Sequence, residues 1–176
     1  MNSIGRFDNW SPDCELALNK QINLEYIAAY QYHALSVYFE RDDISFKNIA
    51  NYFYKACLEE REHADILCKY QTMRGGKVIL ENINKPMLEF NTDNTKNDVI
   101  VSFELALQLE QQVYKNLLEL HNIADSTKDY QFSDFIESKF LNEQVSSIHD
   151  ISVIIGKLRR IGNSGHGLWD FDDKLK

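Results

Sequence analysis

Proline and glycine are scarce in this chain, at 2 and 7 of 176 residues. With so few breakers, long uninterrupted helices are permitted. Cysteine is scarce too: Cys14, Cys57 and Cys68 make an odd count with no CxxC pair, which excludes a Cys/His cluster of zinc type and fits reduced thiols. The opening "MNSIGRFDNW" has no apolar run of the secretory kind, and no stretch approaches the roughly 18 apolar residues of a membrane span. Taken together these absences lead to the expectation of a cytoplasmic protein without a membrane partner. Positive charge is in deficit: 19 Lys and Arg face 27 Asp and Glu, a net charge of -8. That argues against nucleic acid as a partner and suits the attraction of cations. What remains is ordinary for a globular chain, 44% hydrophobic and 26% charged, long enough for one domain over 1–176 with a sizeable core.

Helix signals then divide the chain. Ser11-Pro12 offers an N-cap and a proline at the first helical position, with Asp13 and Glu15 in the first turn. A first helix is predicted from there to about Arg41, a second over 46–74 stopped by Gly75-Gly76, a third over 98–124 and a fourth over 130–160. "GNSGHG" breaks the fourth, and a short last helix is predicted over 168–175. Residues 77–97, with Pro86 and "NTDNTKND", form one long connection. Two short connections and one long one predict an all-α four-helix bundle: an antiparallel pair, a crossover back along the bundle, and a second antiparallel pair.

Each long helix carries an apolar stripe, and each stripe is interrupted by polar residues. The first reads Leu18, Ile22, Glu25, Ala29, Tyr32, Ser36, Phe39; the second Ile49, Phe53, Ala56, Glu60, His63, Leu67, Tyr70. The third stripe contains Glu110 between Ala106 and Val113, and the fourth contains Gln144 between Leu141 and Ile148. Singly, each has an ordinary explanation: an ExxH pair is usually a solvated face, and a core glutamine is usually a hydrogen-bonded amide. Jointly they put three carboxylates and one imidazole into a core whose stripes contain no Lys or Arg. An unpaired buried carboxylate costs several kcal/mol, and a multivalent cation removes the problem. Glu60 and His63, at i and i+3, can grip one ion from one helix. Oxygen and nitrogen donors of this kind suit iron or manganese, in the two-metal carboxylate layout built inside bundles.

These segments carry a resemblance. "QINLEYIAAYQYHALSVYFERDD", "EEREHA", "RGG", "LALQLE", "LLELH", "DFIE" and "LNEQV" together resemble eukaryotic H-type ferritin, in that family's order, from about Cys14 to Arg160. The resemblance implies a ferritin-like four-helix bundle with one long crossover and a short fifth C-terminal helix. It implies a ferroxidase that oxidises Fe(II) with dioxygen at a di-iron site and stores ferric oxide inside a hollow homo-oligomeric shell of twenty-four subunits; mixing with other ferritin subunits is left open. Glu25, Glu60, His63, Glu110 and Gln144 match the family's iron ligands, and Tyr32 its neighbouring tyrosine. Asp134 and Glu137 match acidic residues that line three-fold channels; Glu59, Glu62 and Asp65 match positions that tend to face the cavity. The alternative class is a storage shell without its own oxidation chemistry, and the full ligand set speaks for the enzyme.

Two departures from the family pattern stand out. The stretch between Pro86 and Glu104 looks about five residues longer than usual. The C-terminus "GLWDFDDKLK" is shortened, and Asp172 and Asp173 interrupt its apolar pattern. If Leu168, Trp169 and Phe171 turn inward at a four-fold axis, the aspartates of four copies would meet and repel. Asp172→Leu is then expected to stabilise the shell.

Overall fold

A computed structural model describes residues 4–90 and 96–175. It contains α1 (Pro12–Phe39), α2 (Lys47–Met73), α3 (Asp98–Ser126), α4 (Tyr130–Ile136), a π-helical turn (Glu137–Leu141), α5 (Asn142–Ile161) and α6 (Gly165–Lys174). The cap signals act as the sequence indicates: Ser11 Oγ accepts the Cys14 N–H at 3.0 Å, and Pro12 stands at the start of α1. Gly75 ends α2 with φ +75°, and a Cβ there would lie 2.4 Å from the Arg6 Cα, so both conformation and space require glycine.

Three pairings fix the topology. Tyr32 meets Glu110 and Cys14 meets Thr127, so α1 and α3 are antiparallel. Gln144 meets Glu110 and Asn97 meets Gly162, so α3 and α5 are antiparallel. Tyr52 packs on Phe103 at one end of the bundle and Arg74 pairs with Asp129 at the other, so α2 and α3 run parallel, as a long crossover demands. The crossover is gripped by two buried amides of α1. Asn19 donates to the Lys77 carbonyl at 2.9 Å and accepts from the Ile79 N–H at 3.0 Å. Gln31 donates to the Met87 carbonyl at 3.0 Å and accepts from its N–H at 2.8 Å. These side chains supply hydrogen bonds that an extended segment lying on a helix cannot find in a sheet. The stretch of expected excess length between Pro86 and Glu104 includes 91–95, which lie outside the described residues.

The core has two apolar halves. Phe39, Ile49, Phe53, Val99, Phe103 and Ile155 belong to one, and Leu18, Ile22, Leu67, Val113, Leu117 and Phe132 to the other. On every long helix the polar interruption falls between the two halves, so Glu25, Glu60, Glu110 and Gln144 share one layer across the bundle.

The structure corrects three expectations. The fourth helix is not continuous over 130–160: the π-helical turn Glu137–Leu141 divides it. Such a turn changes the hydrogen-bond register without any special residue type, so the pattern of side chains does not announce it. The last helix begins at Gly165 rather than 168, because Ser164 within "GNSGHG" is its N-cap, accepting the Gly167 N–H at 3.3 Å. Finally, Asp172 is engaged within its own chain rather than left free at the C-terminus. Asp172 is buried, and its Oδ1 accepts the N–H groups of Asn48 and Ile49 at 3.0 and 2.8 Å. It thereby caps α2, whose own N-cap residue Phe46 has no side-chain bond to offer. Leu168 and Phe171 are buried with it, whereas Trp169 stays 61% exposed.

Candidate metal centre

The polar layer is built from four helices. α1 contributes Glu25 and Tyr32, α2 contributes Glu60 and His63, α3 Glu110 and α5 Gln144. Glu25, Glu60, Glu110, Gln144 and Tyr32 are buried and His63 is half-buried. One ligand atom each from Glu25, Glu60 and His63 lies within 4.8 Å of the others, the single such cluster among the described residues. The His63 Nδ1 stands 3.3 Å from Glu60 Oε2, and its Nε2 stands 3.4 Å from Glu143 Oε1. The edge of Phe140, in the π-helical turn, packs on the imidazole with centroids 5.6 Å apart.

Glu110 is engaged differently. The Tyr32 hydroxyl donates to its Oε1, and the Gln144 amide donates to its Oε2 and, at 3.1 Å, to its backbone carbonyl. The structure brings all five ligand candidates and Tyr32 together in this layer. The structure adds a division within it: a tight cluster of Glu25, Glu60 and His63, and a neighbouring carboxylate already held by a hydroxyl and an amide.

Electrostatics show what the layer lacks. Burial, and then the Glu60 charge, push the Glu25 carboxyl well above its ordinary range. Burial, and then Glu110, push Glu60 up to about 8. Burial and Glu110 likewise push the Tyr32 hydroxyl well up. The Oε2 of Glu25 is buried with no hydrogen-bond partner. A set of carboxylates with an orphaned oxygen and an imidazole beside it suits a divalent or trivalent cation, which would supply the missing positive charge.

A cavity of about 220 Å³ opens onto this layer, with Glu60, His63, Glu110 and Gln144 in its wall. Glu59, Glu143 and Lys55 stand there too, so the approach is acidic with one cationic side chain. Burial and the Glu143 charge raise the Glu59 carboxyl. Glu62 and Asp65 are exposed on α2 and do not line the cavity. Asp134 and Glu137 are exposed at the far end, and Glu137 Oε1 pairs with His121 Nε2 at 2.6 Å. Four neighbours went unremarked in the sequence as site residues: Gln21, Tyr52, Lys55 and Glu143. Gln21 had a signal, being polar and one helical turn before Glu25; the other three had none, because an exposed or aromatic residue beside a stripe is ordinary.

Comparison with known proteins agrees with this geometry. A model described as a ferritin-like domain matches residues 15–161. The crystal structure of ferritin from the multicellular green alga Ulva pertusa superposes with a TM-score of 0.94 at 41% identity, covering 99% of this chain and 88% of that one. Ferritin-3, chloroplastic, of Arabidopsis thaliana is 49% identical over 94% of this chain, and the chloroplastic ferritin of Malus baccata var. xiaojinensis is 48% identical over 95%. The chain spans 63% and 66% of the length of these two curated relatives. Their chloroplastic assignment overturns the cytoplasmic expectation. That expectation rested on the lack of an apolar leader, a test blind to plastid transit peptides, which are amphipathic rather than apolar. The H-type label is likewise narrower than these plant and algal relatives support. No described helix is long and apolar enough to cross a membrane. A four-helix bundle whose core is cut by one carboxylate-rich layer, matched over 15–161 by the family model and along nearly its whole length by an algal relative, belongs to the ferritin family.

Proposed function

We propose that this chain is an iron-storage ferritin subunit with ferroxidase activity, oxidising Fe(II) with dioxygen within the bundle and holding the ferric product inside a shell of twenty-four copies. The observation that carries the reading is the cluster of Glu25, Glu60 and His63 within 4.8 Å, whose two buried carboxylates pair with no Lys or Arg among the described residues. Iron is the substrate here, and its electrons pass to dioxygen.

The residues divide the work. Glu25 and His63 hold the first ion from α1 and α2. Glu60, lying between Glu25 and Glu110, is placed to serve both ions. Glu110 and Gln144 receive the second ion less tightly, because Glu110 must first loosen its bonds to Tyr32 and Gln144. A weak second position suits a site that must release product. Protonated Glu25 and Glu60 lose their protons as cations enter, so uptake releases acid. The buried Tyr32 hydroxyl keeps Glu110 oriented between turnovers.

The chain is read as one domain over 1–176, because α1, α2 and α3 each contribute to both halves of the core. A shell is supported by an apolar outer face: Tyr30, Val37, Leu58, Ile79, Leu80 and Leu88 are exposed on α1, α2 and the crossover. By the same relatives, a plastid is the setting proposed for it.

The test is a double variant, Glu60→Ala with His63→Gly. It should abolish rapid aerobic Fe(II) oxidation, followed optically, while light scattering finds the assembly intact. Oxidation at the parent rate would refute the assignment.

A further inference from the structure

Gln21 does not belong to the ligand set, yet it touches it. It lies one helical turn before Glu25 on the same face of α1 and is 2% exposed. Its Nε2 donates to Glu25 Oε1 at 2.7 Å. Its own Oε1 is buried without a partner. For stability alone an aliphatic side chain would serve this position better, because an amide buried with an unpaired oxygen is costly. The amide has one visible effect: it engages one oxygen of Glu25 and leaves the other, Oε2, without an amide, hydroxyl or cationic donor. That oxygen is the orphaned atom noted above, and Glu25 is a member of the three-residue donor cluster.

We infer that Gln21 is a positioning residue for the metal centre: it fixes the Glu25 carboxylate in one rotamer and reserves a single oxygen for the ion. Glu25 then acts through one oxygen rather than two, and the space that a chelating carboxylate would fill stays open for Glu60 and His63. The amide also offers a hydrogen bond to the charged form of Glu25, so it makes that carboxylate a better ligand. Apart from the Glu60 carboxyl beside it, no other residue hydrogen-bonds Glu25 among the described residues.

This rests on the metal-centre reading, and the experiment separates the two. Metal-free parent and Gln21→Met shells are titrated anaerobically with Co(II), with visible absorption and calorimetry as readouts. The parent should bind two Co(II) per chain. In Gln21→Met the tighter event should weaken by about 10- to 100-fold, the usual effect of losing a hydrogen-bond partner of a ligand, while the weaker event stays unchanged. Gln21→Leu provides the same comparison if the methionine variant does not fold. A variant that melts at a different temperature but binds the first Co(II) as tightly as the parent would show a packing role only and overturn the inference. Equal weakening of both events would overturn it too, since that marks general damage to the layer. A parent that takes up no Co(II) at the cluster would overturn the metal-centre reading itself.

Discussion

At the residue scale, the metal-free layer is an electrostatic fault held closed by protons. Glu60 is pushed up to about 8 and Glu25 well above its ordinary range, each chiefly by burial. The folded chain therefore binds protons that the unfolded chain, with carboxyls near 4.5, gives up. Stability is greatest below about pH 4.5 as far as these two groups are concerned, and it is lost as pH rises from there toward 8. Thermal melts of the metal-free protein should show a falling melting temperature between pH 5 and pH 8, and a redox-inert divalent cation should restore it. Glu60→Gln should flatten that slope, because an amide carries no proton to lose. A flat profile in the parent would mean that the carboxyls are not protonated together in the fold.

At the scale of elements, the caps come from unexpected places. α2 starts at Lys47 with no side-chain cap of its own, and Asp172 of α6 supplies one from 123 to 124 residues away in sequence. An anion at a helix N-terminus is favoured by both the free N–H groups and the helix dipole. Asp172→Leu should therefore lower stability by about 1–2 kcal/mol, a fall of a few degrees in melting temperature for a chain of this size. Asp173→Leu, at an exposed position, should change little. A rise in melting temperature for Asp172→Leu would reinstate repulsion between copies as the dominant effect. The opposite end of the bundle is closed by another distant pair. Arg74, capping α2 at its C-terminus, meets Asp129, the N-cap of α4, at 2.6 Å, and lies over the rings of Phe7, Trp10 and Tyr70. This clasp ties the segment before α1 to the turn between α3 and α4.

At the scale of the whole molecule, the net charge of -8 is not evenly useful. Glu59 and Glu143 stand at the cavity mouth, while Asp134 and Glu137 share one face near the π-helical turn. If copies assemble around a three-fold axis there, symmetry triples that pair into a funnel for cations. Asp134→Ala with Glu137→Ala should then slow Fe(II) oxidation several-fold at low iron while approaching the parent rate at saturating iron, as delivery rather than chemistry becomes limiting. The effect should shrink as salt is raised, through screening. Equal rates for variant and parent across iron concentrations would rule this route out. His121 complicates the picture, since it occupies Glu137 at 2.6 Å and must yield before an ion binds there.

The sequence by itself determined the four helices, their order and the depth of the polar layer, because a helix repeats every 3.6 residues and one misplaced Glu in a stripe is visible without any partner. It located the caps at Ser11-Pro12 and the stop at Gly75-Gly76 for the same reason: each is a local event. The tertiary structure alone decided which polar residues face each other. It separated the cluster of Glu25, Glu60 and His63 from the Tyr32–Glu110–Gln144 group, and turned Asp172 from a supposed liability into the cap of α2. It also placed the π-helical turn, a change of hydrogen-bond register that leaves no trace in residue type. Hydrogen bonds act over about 3 Å, and only the folded bundle brings residues a hundred positions apart to that distance.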